Sequence, residues 1–453
     1  MDIKAILPIV VLTALISACS SFSHTNIKQP DTEPEPTRAT FDITAGRGDH
    51  PETLVIMSLS GGGSRAAYLS ASVMLKLETV FEQEGINLLH EVDAISSVSG
   101  GSLPAAYYVI SSDDEPAAYG RVWNEATVKK LMKKDYIRKW FGNWFWPTNI
   151  GKFWFTAYDR SDIMAQTFAD NMYDTRPLGR DLTMGDMLDT RPYLVLNSTN
   201  GTVTPSPADK GNSGQTDPAM EFGAPFTFTR QDFDTINSDI NDYSLARAVM
   251  ATATFPAVFN YMTMKDYRLS GAPGCVEDCD RFVHVFDGGN ADNLGLKSVS
   301  EMLDILPCEK ENYDRLVVIL VDAFTGNSGI SNDKPDPRKG FDFVVDTNFL
   351  EATDSLLSAN RDEKIERFKD KFETRCGEPS KAIFYHIQFE DVKNDELRRN
   401  LSRIKTDFRI SDKDAGYIDD AVDELLTPQN TCLTGIRDLL VNGHHQTDQI
   451  CRH

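Results

Sequence analysis

Thr53 to Leu59 reads Thr-Leu-Val-Ile-Met-Ser-Leu, a nearly continuous apolar run of the kind buried on both faces of a parallel sheet. It breaks at Ser60-Gly61-Gly62-Gly63-Ser64-Arg65. Beyond Ala66, Leu69, Val73, Leu77 and Val80/Phe81 recur at helical spacing up to about residue 84. A second apolar stretch at 91–98 ends in Ser99-Gly100-Gly101 and leads into another helix-compatible segment. Strand, glycine turn and helix, repeated, give βαβα order and predict an α/β fold with a parallel sheet. Further strands are expected at 193–197, 283–286, 315–321 and 382–388, and helices near 115–134, 160–172, 243–251, 294–306, 349–373 and 410–427. The segment 200–242, rich in Gly, Pro, Ser, Asn and Asp, reads as loops with room for a hairpin.

The N-terminus follows a different pattern. Lys4 precedes an apolar stretch, Ala5 to Ile16, that is short for a bilayer span and closes on Ile16-Ser17-Ala18-Cys19. This resembles the lipobox of bacterial lipoproteins, in which the cysteine is lipidated and becomes the new N-terminus. Residues 1–18 are then a signal peptide and Cys19 a lipid anchor; an ordinary secretory peptide is the competing reading. Ser20, rather than Asp, follows the cysteine, so the expected location is the bacterial cell envelope, on the outer membrane facing the periplasm. Residues 19–50 carry the anchor and a flexible tether rich in Ser, Thr, Pro and acids. The globular body divides into a main domain at 51–325 and a C-terminal α/β extension at 326–453 that packs on it or completes it.

A formal net charge of −22, with no block of Lys and Arg, argues against nucleic acid as a partner. It argues equally against strong attraction to anionic lipid, leaving membrane contact to the anchor and to apolar residues. Six cysteines remain besides Cys19, an even number suited to an oxidising compartment. The short-range pairs Cys275–Cys279 and Cys432–Cys451 are expected, which leaves Cys308–Cys376. No paired Cys-x-x-Cys and no histidine at ligand spacing support zinc. Between 136 and 158 lies an aromatic run that includes Trp140, Phe141, Trp144, Phe145, Trp146, Trp154 and Phe155, broken by Gly142, Pro147 and Gly151. Core packing is its first reading. A lip at 140–155 that dips into lipid and receives acyl chains is the second.

Three glycine-bearing turns, each at the end of an apolar strand, resemble the motifs of the patatin-like phospholipases. Ser60-Gly61-Gly62-Gly63-Ser64-Arg65-Ala66 corresponds to that family's oxyanion motif, Ser97-Val98-Ser99-Gly100-Gly101 to its Gly-x-Ser-x-Gly elbow, and Asp287-Gly288-Gly289 to its Asp-Gly-Gly/Ala motif. The stretch from Ala246-Arg247-Ala248 to Phe259 is similar to the helix and turn ahead of the family's aspartate. Ser60, Ser97 and Ala66 depart from the pattern, but all three are small and fit the same tight backbone. The resemblance covers roughly residues 52 to 325 and implies a three-layer α/β/α patatin-like fold with a mainly parallel central sheet.

It also implies a serine lipid acyl hydrolase, phospholipase A or lysophospholipase-like, with a Ser99–Asp287 dyad, a phospholipid or other acyl-ester substrate, and no cofactor or metal. Ser99 is the expected nucleophile because it alone of the local serines has glycine at both following positions. Its hydroxyl needs a base, which Asp287 supplies. Gly61, Gly62 and Gly63 are the candidate oxyanion hole, with Arg65, Ser97, Gly101, Gly288 and Gly289 in support. Arg65 is expected to steady the glycine loop or meet a lipid phosphate. A triad histidine is the alternative: His284 is expected on the opposite face of its strand from Asp287, whereas His90 and His386 stay open. A non-catalytic envelope scaffold or binding lipoprotein that keeps the fold is the rival reading.

Overall fold

The computed structural model describes residues 26–30, 48–113, 117–156, 158–175, 178–202, 221–256, 258–268, 281–309, 311–325, 360–406 and 408–452. Cys19, the signal peptide, most of the tether and the Cys275–Cys279 pair lie outside them. The principal sheet has nine strands: β1 (Thr53–Leu59), β2 (Ala94–Val98), β3 (Tyr193–Asn200), β4 (Pro225–Thr227), β5 (Met262–Asp266), β6 (Arg281–Asp287), β7 (Arg315–Asp322), β8 (Ala382–Gln388) and β9 (Ile450–Cys451). Their spatial order is β9-β8-β7-β1-β2-β3-β6-β5, with β4 also on β3. Neighbours from β9 through β3 run parallel, whereas β4, β5 and β6 are antiparallel.

Helices cover both faces. They are α1 (Gly63–Thr79), α2 (Ser102–Val109), α3 (Glu125–Met132), α4 (Tyr136–Trp144), α5 (Pro147–Phe155), α6 (Arg160–Phe168), α7 (Leu245–Thr252), α8 (Leu296–Ile305), α9 (Arg361–Phe372), α10 (Asp395–Leu401), α11 (Asp412–Leu425) and α12 (Thr431–Asn442). Because side chains alternate along a strand, Val55, Met57 and Leu59 of β1 face one apolar cluster and Leu54 and Ile56 the other. The larger cluster takes α1, α2, α4, α6, α7, α11 and α12; the smaller takes α8 and α9. The result is the expected three-layer α/β/α fold with a mainly parallel sheet. Among the described residues no helix is long and apolar enough to cross a membrane.

β1 is the hinge of the topology. The chain leaves it toward β2 and β3 on one side and returns much later as β7 on the other. Such a reversal opens a crevice beyond the C-terminal ends of the parallel strands. The glycine loop after β1 therefore sits beside the exit of β7, where Ser60 N–H donates to Val321 O at 3.0 Å and Ser60 Oγ accepts from Ala323 N–H at 2.9 Å. β8 and β9, from beyond residue 326, extend this same sheet. α11 packs on α1, with Tyr68 Oη and Ser72 Oγ both donating to the Asp419 carboxylate at 2.9 and 3.0 Å.

Several bounds differ from the sequence reading. The helix expected over 115–134 starts at Glu125, where the Asn124 side chain caps Thr127 N–H. Ahead of it, residues 118–120 form a single turn with Tyr119 at φ +53°. The loop-rich stretch 200–242 holds β4, and the sequence reading assigned no strand at β5 or β9 and no helix at α4, α5, α10 or α12. Two disulfides match expectation: Cys308–Cys376 and Cys432–Cys451. The second ties the two-residue edge strand β9 to α12 across a separation of 19 residues. Cys432→Ala with Cys451→Ala is expected to lower unfolding free energy by about 2–4 kcal/mol, read as a fall in the urea midpoint of the oxidised protein.

Candidate active site

β2 ends at Val98 in extended conformation, and Ser99 follows at φ +48°, a left-handed geometry unusual for a residue with a side chain. A tight turn over Ser99–Gly101 then passes directly into α2. This is the geometry of a nucleophile elbow, with backbone strain concentrated on the residue whose hydroxyl it presents. The two glycines have distinct steric duties. A Cβ at position 100 would lie 2.0 Å from the Gly63 carbonyl oxygen, and one at position 101 would lie 2.7 Å from that of Ser60. Ser97, where the family motif has glycine, is buried and its Oγ is 3.5 Å from Val195 O, so a hydroxymethyl group is accommodated on that side.

Register brings the aspartate opposite the serine. β2 and β3 align Val98 with Asn197, and β3 and β6 align Ser198 with Asp287, so Asp287 is level with the residue that follows β2. Ser99 Oγ donates to Asp287 Oδ2 at 3.0 Å. The other carboxylate oxygen, Oδ1, accepts from Gly289 N–H at 2.8 Å, and Thr199 Oγ1 donates to the Asp287 carbonyl at 2.8 Å. The carboxylate is thus oriented from behind, and Asp287 is 5% exposed. At Gly288 a Cβ would lie 2.2 Å from Asn197 O. Asn197 is buried and donates to Ser96 Oγ and Ser97 O, both at 2.9 Å, locking β3 to the strand that carries the elbow.

The glycine loop closes over the serine. Gly61 N–H is already spent on Asn293 O at 2.9 Å, so this member of the predicted trio is not a free donor. A Cβ there would meet Asn293 Oδ1 at 2.3 Å and the Ser99 Cβ at 3.3 Å. Gly62 and Gly63 have φ of +138° and +60°, and their N–H groups have no acceptor among the described residues. Both stand at the N-terminus of α1, where the helix dipole favours negative charge. Arg65 is 4% exposed, and Nη1 donates to Ile404 O at 2.6 Å. This bond ties the first turn of α1 to the segment around Ile404, and Arg65 also reaches the cavity wall.

Above Ser99 and Asp287 opens a cavity with two unlike halves. Leu103, Met132, Tyr136, Met164, Phe168, Met250, Phe255, Phe259 and Phe408 form the apolar half. Asn293, Arg361, Lys364 and Thr406 supply the polar one, with the Phe324 ring beneath Arg361. The aromatic segment divides accordingly. Tyr136 and Trp140 are buried, with Trp140 edge-on to Phe259 at 5.5 Å, whereas Phe145, Trp146, Trp154 and Phe155 are exposed.

Three histidines are placed. His284 faces away from Asp287, meets Thr263 Oγ1 at 2.9 Å, and its pKa is lowered by burial. His90 precedes β2, at the end remote from Ser99. His386 lies on β8, three strands from the elbow, with Nε2 at 3.2 Å from Asp322 Oδ2. Arg361 Nε also donates to that oxygen, at 2.6 Å, while Nη2 donates to Gln388 Oε1 at 2.7 Å. Arg361 further covers the Phe324 ring at 4.7 Å, so this network shapes the polar wall. Asn197, Asn293, Asp322, Arg361 and Gln388 were not singled out from sequence. Single asparagine, aspartate and arginine residues outside any motif give no local signal of their role.

An elbow serine bonded to a buried aspartate thus lies beneath a glycine-rich helix start and faces a largely apolar cavity. The family comparison agrees: residues 57–299 match the patatin-like phospholipases, and the chain belongs to that family. No curated protein matches the sequence. Solved structures with similarity include VipD from Legionella pneumophila, with 12% identity, 96% of this chain and 73% of that chain covered, and a TM-score of 0.32. Full-length ExoU, solved with SpcU from the type III secretion system of Pseudomonas aeruginosa, gives 11% identity, 89% and 60% coverage, and a TM-score of 0.29.

Two outcomes follow. Gly100→Ala drives a methyl group into the Gly63 carbonyl and is expected to cost about 3 kcal/mol or more, measured by denaturant unfolding. Burial raises the Asp322 pKa, but the hydrogen bond from His386 and the charge of Arg361 outweigh it and bring the carboxyl from its usual 3.8 to about 2. A group depressed in the folded state adds stability above its unfolded pKa and loses it as pH falls through the folded one. The parent should lose roughly 2 kcal/mol between about pH 4 and pH 2 that Asp322→Asn does not lose, as read from unfolding free energies across that range.

Proposed function

We propose that this protein is a serine lipid acyl hydrolase of phospholipase A or lysophospholipase type, working with a Ser99–Asp287 dyad. The observation that carries the reading is the 3.0 Å hydrogen bond from Ser99 Oγ to Asp287 Oδ2 beneath an apolar cavity. As Ser99 Oγ attacks the ester carbonyl carbon, its proton passes to Asp287. The carbonyl oxygen, now negative, lies against the N–H groups of Gly62 and Gly63, each such donor being worth about 3 kcal/mol in the transition state. Gly61 serves as the spacer that holds the loop to Asn293. The tetrahedral adduct collapses, the C–O bond to the alcohol breaks, and the leaving alkoxide takes the proton from Asp287. Water then attacks the acyl-serine carbonyl and gives a proton to Asp287; the acyl C–Oγ bond breaks, Ser99 Oγ takes that proton back, and the fatty acid leaves.

The apolar half of the cavity fits an acyl chain, and the half with Arg361 and Lys364 suits an anionic or zwitterionic head group. No step calls on a metal or cofactor. The lipobox-like Ile16-Ser17-Ala18-Cys19 supports a chain anchored by Cys19 in the cell envelope, at the outer membrane and facing the periplasm. Ser99→Ala and Asp287→Asn are each expected to lower hydrolysis of a short-chain chromogenic ester and of phospholipid by on the order of 10³-fold, with the fold unchanged by circular dichroism. Activity retained in either folded variant, or absent from the parent, overturns the reading.

A further inference from the structure

In a chain with net charge −22, the stretch 129–152 is cationic: Lys129, Lys130, Lys133, Lys134, Arg138, Lys139 and Lys152 stand against Asp135 alone. Lys129 pairs with Glu125 and Asp419, and Lys133 with Asp412. Among the described residues, no carboxylate lies within ion-pair distance of Lys130, Lys134, Arg138, Lys139 or Lys152. The cations crowd one another as well: burial, then the charges of Lys139, Lys130 and Arg121, lower the Lys134 pKa.

Among the described residues, the same stretch also holds most of the exposed large aromatic side chains. Phe145, Trp146 and Trp154 are 75%, 64% and 70% exposed, at the turn between α4 and α5 and along α5. The inner face of this hairpin is anchored. Tyr136 and Trp140 are buried, and Trp144 packs edge-on to Phe153 at 5.6 Å. Tyr136, at the start of α4, also lines the cavity over Ser99, so the helix that carries the exposed tip at its far end forms part of the site wall.

We propose that the α4–α5 hairpin, with Lys130 from the end of α3, is a docking surface for an anionic lipid bilayer, with Trp146, Trp154 and Phe145 entering the interface and Lys130, Arg138, Lys139 and Lys152 held by lipid phosphates. Tryptophan suits this boundary because its large apolar body carries one polar N–H. Each lysine or arginine near an anionic surface strengthens attachment about fivefold, and salt weakens it. The local charge thus reverses the expectation drawn from the whole-chain charge. Transfer of docked lipid into the cavity rests on the acyl-hydrolase reading; the binding does not.

The test uses the full chain with Ser99→Ala, so that vesicles stay intact, and co-sedimentation with phosphatidylcholine vesicles with or without phosphatidylglycerol. The parent should prefer the anionic vesicles, and added salt should remove that preference. Arg138→Glu with Lys139→Glu, and separately Trp146→Ser with Trp154→Ser, should each weaken anionic-vesicle binding by about tenfold or more. With Ser99 intact, both variants should hydrolyse a soluble short-chain ester within about twofold of the parent. Equal binding to the two vesicle types, or variants that bind as the parent does, would overturn the proposal. A parent that binds in this salt- and tryptophan-dependent way yet hydrolyses no soluble ester upholds the docking surface and removes the hydrolase reading.

Discussion

The backbone of the glycine loop after β1 touches the backbone of the elbow after β2, and that contact governs the geometry of the whole site. Hydrogen is the only substituent that position 100 tolerates, since a methyl carbon would sit 2.0 Å from Gly63 O. Because the two turns meet, Ser99 lies under the N-terminus of α1, and the same loop that confines it also offers the Gly62 and Gly63 amides. Neighbouring parallel strands make the meeting possible. β1 and β2 are adjacent and end level, so their exit loops converge at the point where the strand order reverses.

Around that contact the rest of the chain holds position by hydrogen bonding. Asn293 fixes Gly61, Ser60 ties the loop to the exit of β7, and Asn197 joins β3 to the elbow strand. The region beyond the family match adds to the site. Arg65 is held by Ile404 O, Phe408 meets Phe259 at 5.5 Å, and Arg361 braces Phe324. The C-terminal region therefore supplies part of the cavity wall as well as two strands of the sheet. Burial without partners would make these polar groups costly, and their pairing makes them orienting devices instead.

Much of the site was legible in sequence because its constraints are local. Glycines at 100, 101 and 288 mark close backbone approaches and those at 62 and 63 take positive φ, and each run follows an apolar strand. The Ser99–Asp287 pairing was legible only through the family motif, since the contact spans 188 residues and depends on the register of β3 and β6. The exhaustion of Gly61 N–H by Asn293 depends on a distant carbonyl and leaves no trace in local pattern. α12 was readable, with Asn430 as its cap and Leu433, Ile436, Leu439 and Leu440 at helical spacing. β5 is five residues long and β4 three, too short for alternation to stand out in a loop-rich stretch. The aromatic segment resisted a single reading because it is both things: Trp140 is core and Trp146 is surface.

The central claim is that Ser99 is a nucleophile activated by Asp287. It is tested most directly by treating the folded protein with a fluorophosphonate and mapping the modified residue by peptide mass spectrometry. The account predicts one adduct per chain, on Ser99, with labelling slowed by on the order of 10²-fold or more in Asp287→Asn. An unlabelled folded protein, an adduct on another residue, or undiminished labelling in Asp287→Asn would contradict it.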